Sequence, residues 1–238
     1  MPHPVSLDSI IRANLDAVRD RLHRAALRAR RDPSSIRLIA ISKTFDLDHV
    51  RAAAAAGQTD FGENRVQEAL QKIDASADVK IRWHLVGHLQ SNKARKAVGA
   101  FAAIHSVDGL ELLHRLDAAA AETGSHPEVL VQVDLAGETA KFGAPPDEAR
   151  AIVRAAAGCQ AVRLAGLMVL PPLFENAEDA RPFFARLRAL RDELVDSGVP
   201  APLLRELSMG MSHDVEVAIE EGATMVRLGT AIFWARSR

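Results

Sequence analysis

Arg37-Leu-Ile-Ala-Ile-Ser42, followed directly by Lys43-Thr44, is the stretch on which the reading of the fold turns. The four apolar residues between Arg37 and Ser42 are too few for a helix and do not alternate, as expected of a strand covered on both faces. Seven more strand-like runs follow, at 59–63, 81–86, 102–107, 129–135, 162–170, 203–209 and 224–228. Helical patterns separate them. Asp108-Gly-Leu-Glu111 reads as a capping box, with Leu112, Leu113 and Leu116 behind it and Gly124 as its stop. Phe183, Leu187, Leu190 and Leu194 form a stripe at helical spacing that ends at Gly198 and Pro200, and Val215, Ala218 and Ile219 form another that ends at Gly222. Ahead of the first strand, Ile11, Leu15, Val18 and Leu22 mark an amphipathic helix that runs to Asp32-Pro33.

Parallel neighbours need crossover connections, so eight runs alternating with helices imply β-α units. Eight units in about 210 residues match a (β/α)8 TIM barrel of the α/β class with one added N-terminal helix. An open doubly wound sheet is the runner-up, but no Gly-rich turn follows the first run. No linker or low-complexity tract interrupts the pattern, and one domain over 1–238 is expected.

Composition narrows the function classes. The chain has 238 residues, 48% of them apolar, enough for a full core without staples. Its one cysteine, Cys159, excludes an intramolecular disulfide and multi-Cys metal sites, fits a reducing compartment and reads as structural. Thirty basic and 31 acidic residues give a net charge of −1, with no global field for nucleic acid. The N-terminus lacks a signal-peptide pattern, and the longest charge-free apolar stretch, 164–174, is 11 residues where a membrane span needs about 20. A cytoplasmic protein that meets neither nucleic acid nor membrane is expected, with a monomer the simplest state. The chain also has no Tyr, which removes a common general acid/base.

In a barrel the reactive groups sit at the C-terminal ends of the strands. Lys43 stands there after the first strand; partial desolvation would favour its free amine for Schiff-base chemistry, while an ion-paired strand-end lysine is the plainer reading. Ser208-Met-Gly210-Met-Ser212 runs from the seventh strand into a helix, and Arg227-Leu-Gly229-Thr230 does so from the eighth. Turns at these two places commonly hold phosphate, though the Ser212 hydroxyl could equally cap the helix. Arg227 faces the same side as Gly229, where a barrel-interior ion pair is the plainer reading. Asn64 and Arg65 follow the second strand. His84 and His88 lie four apart, but strand and turn geometry argues against a shared metal. Lys141, after the fifth strand, could reach the mouth but is by itself an ordinary exposed lysine, and Met168 reads as core. A lysine opposite a phosphate cradle suits a phosphorylated aldehyde or ketone, either pyridoxal phosphate or a phosphosugar, and spacing does not choose between them.

The segments Ile41-Ser-Lys43, Phe61-Gly-Glu-Asn-Arg65-Val-Gln-Glu, Trp83-His-Leu-Val-Gly-His-Leu-Gln-Ser-Asn-Lys93, Gly166-Leu-Met168, Ser208-Met-Gly-Met-Ser212-His-Asp214 and Val226-Arg-Leu-Gly-Thr-Ala-Ile-Phe233 are spread over nearly the whole chain. Together they resemble the pyridoxal phosphate homeostasis protein family. The resemblance implies a barrel like the N-terminal domain of alanine racemase, with pyridoxal 5'-phosphate held by Lys43 as an internal aldimine. It further implies that Ser212, Gly229 and Thr230 contact the phosphate, that Arg227 faces the pyridine nitrogen, and that Asn64 and His84 lie near the ring; Ser208 and Gly210 are expected among the cofactor-binding residues as well. Two positions depart from the family's pattern: Asp134 stands where Asn is usual, and Trp234 where Gly is usual. An Arg at the ring nitrogen leaves the pyridine unprotonated and a poor electron sink, and a racemase would need a second base that the absent Tyr does not supply. The expected function is therefore a carrier that buffers or delivers the cofactor, with apo enzymes that use it as partners. The alternatives are a racemase or lyase using His84 as second base, or a phosphosugar enzyme.

Overall fold

The computed structural model describes residues 6–137 and 142–234. Eight strands, β1 (Arg37–Ile41), β2 (Asp60–Glu63), β3 (Arg82–Leu85), β4 (Ala103–Val107), β5 (Glu128–Val133), β6 (Arg163–Val169), β7 (Glu206–Ser208) and β8 (Met225–Leu228), close into a barrel in sequence order. All neighbours are parallel, and β1 completes the ring by pairing Ile39 with Arg227 and Ala40 with Leu228. The helices are α1 (Leu7–Arg28), α2 (Leu47–Ala55), α3 (Val66–Ala75), α4 (Ala94–Ala100), α5 (Leu110–Thr123), α6 (Pro146–Ala156), α7 (Arg181–Asp196), α8 (Val215–Glu220) and α9 (Thr230–Phe233). This is the (β/α)8 architecture expected, with α1 as the added helix.

The apolar residues partition as that architecture requires. A large cluster lies between barrel and helices, and a small one, made of Ile39, Ile41, Val86, Leu130, Ala165 and Met225, lies apart from it. Gly62 marks the tight space inside the barrel wall, since a Cβ there would stand 2.4 Å from Ile41 Cδ1. Helix α1 begins on Ser6, whose side chain accepts from the Ser9 amide, and buries Ile11, Leu15, Val18 and Leu22. It packs across α2, α8 and α9, bridging the two ends of the chain.

Four local expectations need correction. Helix α1 stops at Arg28, and Asp32 instead caps a separate 3-10 turn at Pro33–Ser35. The seventh strand is only Glu206–Ser208, because Pro200 and Pro202 shape a 3-10 turn over Ala201–Leu204. The capping box at Asp108 does not form: Gly109 is the N-cap with no side-chain bond, and the Asp108 carboxylate turns to His88 at 3.4 Å. In α7 the buried aromatic is Phe184 rather than Phe183. Gly124 ends α5 in the left-handed conformation, φ +65°, as read. Among the described residues no helix is long and apolar enough to cross a membrane, and no group of three or more His, Cys, Asp or Glu is arranged to hold a metal ion.

Candidate functional site

The site is built on the rim where β1 meets β8. The pairing of Ala40 with Leu228 carries Ile41 alongside Gly229, so closely that a Cβ at position 229 would stand 3.1 Å from the Ile41 carbonyl oxygen. Two residues later comes Lys43, in a turn closed by the Phe45 amide donating to the Ser42 carbonyl at 3.1 Å. The lysine turn and the Gly229-Thr230 turn are therefore neighbours. Lys43 is exposed, not partly buried as expected, because β1 ends at Ile41 and the chain leaves the wall through a turn in which Thr44 has φ +68°.

That turn is braced from beneath by a part-buried ion pair that the sequence reading missed. Lys72 Nζ donates to the Ser42 carbonyl at 2.7 Å and to Glu63 Oε1 at 2.6 Å, and Ser42 Oγ donates to the same carboxylate oxygen at 2.7 Å. Glu63 is fully buried at the end of β2. Asn64 follows it, half-buried, with its backbone against Gly87 after β3; a Cβ at 87 would stand 2.2 Å from the Asn64 carbonyl oxygen.

Next along the rim, after β7, Gly210 has φ +91°, and a Cβ there would stand 2.5 Å from Ala218 Cβ, so this turn requires glycine. The Arg227 amide donates to the Gly210 carbonyl at 3.0 Å, locking the β7 and β8 turns together. Ser212 does not cap α8, which starts after Asp214 without a side-chain cap. Instead its carbonyl accepts from Arg21 Nη1 of α1 at 2.8 Å, and Arg21 also pairs with Glu216. The added helix thus braces the turn. Asp214 Oδ1 accepts from the Met211 amide at 2.6 Å. Ser212 and Gly229 are half-buried and Thr230 is exposed, within reach of a ligand entering the mouth.

Arg227 forms the floor. It is buried, and its Nη1 donates to Ser208 Oγ at 2.5 Å and its Nη2 to the Val169 carbonyl at 2.9 Å. The interior ion pair considered for it is absent among the described residues, and burial pushes its pKa down to about 10, still charged at neutral pH. Behind it runs a chain of buried polar groups: His105 Nδ1 lies 2.9 Å from Ser208 Oγ, His105 Nε2 lies 3.0 Å from His84 Nδ1, and His84 Nε2 lies 2.9 Å from Asp60 Oδ1. The His84 side chain is wholly buried, and both of its ring nitrogens are engaged. Ser208 is likewise fully buried.

The two departures find plain accounts. Asp134 Oδ1 accepts from the amides of Ala136 and Gly137 at 2.9 and 3.0 Å, so it shapes its own loop. Trp234 is half exposed with φ +79°, a backbone conformation that favours glycine. Cys159 is half-buried with its thiol pushed up to about 11, chiefly by burial, consistent with a structural role. Met168 is buried. Lys141 lies outside the described residues.

The barrel and its rim define a class: the alanine racemase N-terminal domain family matches residues 13–237. Within that class the chain is 44% identical over 229 residues to the pyridoxal phosphate homeostasis protein of Pseudomonas aeruginosa, covering 96% of both chains. It is 41% identical over 223 residues to the protein of the same name from Aquifex aeolicus, covering 93% of this chain and 96% of that one. PipY of Synechococcus elongatus PCC7942, solved with PLP bound, superposes with a TM-score of 0.84 at 42% identity, covering 94% of this chain and 99% of PipY. The chain belongs to the pyridoxal phosphate homeostasis protein family.

Proposed function

We propose that this barrel binds pyridoxal 5'-phosphate reversibly and maintains its intracellular supply by buffering or delivery, without substantial catalysis. The observation that carries the reading is the juxtaposition at the rim: an exposed lysine turn packed against the Gly229-Thr230 turn, above a buried guanidinium. The donor set fits the cofactor. Arg227 spends two of its N–H groups on Ser208 and Val169, and the rest have no protein acceptor among the described residues, so they suit an unprotonated ring nitrogen. Gly210, Ser212, Gly229 and Thr230 take the phosphate, and Asn64 lies beside the ring. Ser208 and His84 support Arg227 from behind. Lys43 supplies the amine that condenses with the cofactor's aldehyde, losing one water, to a Schiff base.

When bound, the cofactor offers carbanion stabilisation, and this chain's residues restrain that chemistry. The charged guanidinium does not protonate the ring nitrogen, and the chain has no Tyr to serve as second base. His84 has no free ring nitrogen to replace it. We further propose one domain over 1–238, a cytoplasmic monomer, with apo enzymes that use the cofactor as recipients.

The test is an absorbance spectrum after incubation with pyridoxal 5'-phosphate. Wild type gains a visible band that Lys43→Ala lacks; a wild type without the band overturns the reading. Solvent α-proton exchange on amino acids, abolished by His84→Ala, would establish a racemase instead.

A further inference from the structure

With both imidazoles neutral, the termini of the buried chain fix the direction of every hydrogen bond in it. Arg227 can only donate, and an ionised Asp60 can only accept. Ser208 Oγ therefore accepts from Arg227 and donates its own proton to His105 Nδ1. His105 Nε2 must then carry a proton and give it to His84 Nδ1, and His84 Nε2 gives one to Asp60. Both imidazoles are neutral in this order. Burial, the first cause for each, holds both histidines below their ordinary pKa. Burial also acts to raise Asp60, but the His84 bond, the Thr59 hydroxyl at 2.9 Å and the nearby Arg82 outweigh it and keep the carboxylate ionised. The chain crosses the barrel from β2 through β3 and β4 to β7 and β8, and every bond in it points toward Asp60.

We propose that His105 is a positioning residue for the cofactor: through Ser208 it fixes the Arg227 guanidinium under the ring nitrogen, with Asp60 at the far end of the hydrogen-bonded chain as the anchoring charge. The proposal rests on the placement of pyridoxal 5'-phosphate above Arg227. A buried arginine without a carboxylate beside it has little else to hold its orientation, since the Val169 carbonyl supplies only one further acceptor. Each neutral link polarises the next, so the carboxylate acts on the guanidinium through three side chains it does not touch.

The experiment compares two probes in spectroscopic binding titrations: pyridoxal 5'-phosphate and its 1-deaza analogue, in which a C–H replaces the ring nitrogen. His105→Leu and Ser208→Ala are expected to weaken the natural cofactor about tenfold, as for a lost bond to a charged group, and to leave the deaza analogue unchanged. His105→Gln, whose amide both donates and accepts, is expected to restore binding. Equal losses for the two probes would mean a general structural role and overturn the proposal, as would no loss for either. Should His105→Leu fail to fold, Ser208→Ala, which removes one oxygen, decides the matter alone. A wild type that binds neither probe would overturn the cofactor reading itself and this inference with it.

Discussion

Glu63 and Lys72 show what a single pair contributes beneath the reactive lysine. The carboxylate is fully buried and accepts from both Ser42 Oγ and Lys72 Nζ through one oxygen, while its other oxygen has no partner among the described residues. A buried pair adds little net stability while intact, but removing one partner strands a charge out of water, at a cost of about 3–5 kcal/mol. Lys72→Met is therefore expected to lower unfolding free energy by about that amount in urea denaturation, and Lys72→Met with Glu63→Gln to recover part of it. It is also expected to weaken cofactor binding, because the Ser42 carbonyl next to Lys43 loses its anchor. Full stability in the single variant would mean that the pair is dispensable.

At the scale of elements, the turns between strand and helix carry the site, and two glycines separate the roles such residues play. Gly87 is needed because the turns after β2 and β3 touch backbone to backbone; a Cβ would meet three Asn64 backbone atoms within 3 Å. Gly99, exposed in α4, has nothing within 4 Å of where a Cβ would stand. Gly87→Ala is expected to destabilise by about 1–3 kcal/mol and to displace Asn64. Gly99→Ala is expected to stabilise by about 0.5–1 kcal/mol through reduced freedom of the unfolded chain. Thermal melts of the two variants moving in the same direction would contradict this. The contrast also shows what the sequence can and cannot tell. Runs such as Leu38 to Ile41 announce strands because hydrophobic burial acts on neighbours in sequence, and the glycine-bearing turns after β7 and β8 stand out for the same local reason. The polar chain does not, because His105 meets Ser208 across 103 residues and His84 across 21. Arg21 likewise reaches Ser212 across 191 residues. One local signal was available: Asp60, Glu63, His84 and His105 are ionisable residues within barrel strands, where burial is costly unless each is partnered.

For the whole molecule, the chain from Asp60 to Arg227 ties opposite walls of the barrel and makes stability depend on pH. In the folded protein His84 and His105 are held below the ordinary histidine pKa, mainly by burial. As pH falls through about 6.5 the unfolded chain takes up protons at both positions before the native barrel does. Native stability contributed by the neutral pair is therefore fully present above that pH and is lost below it. The slope reaches at most about 1.4 kcal/mol per pH unit for each histidine, or about 2.7 for both. Asp108 contributes with the opposite sign, since burial raises its pKa and its native form takes up a proton sooner than the unfolded one. His105→Gln isolates the histidine contribution, because every carboxylate is common to both proteins. Urea denaturation of wild type and His105→Gln between pH 7.5 and pH 5, a range set by the about 6.5 of free histidine, should show the variant losing stability roughly half as steeply from this source. Parallel curves would mean that His105 takes up its proton in the folded barrel, and the donor order running from Arg227 to Asp60 would then have to reverse at His105.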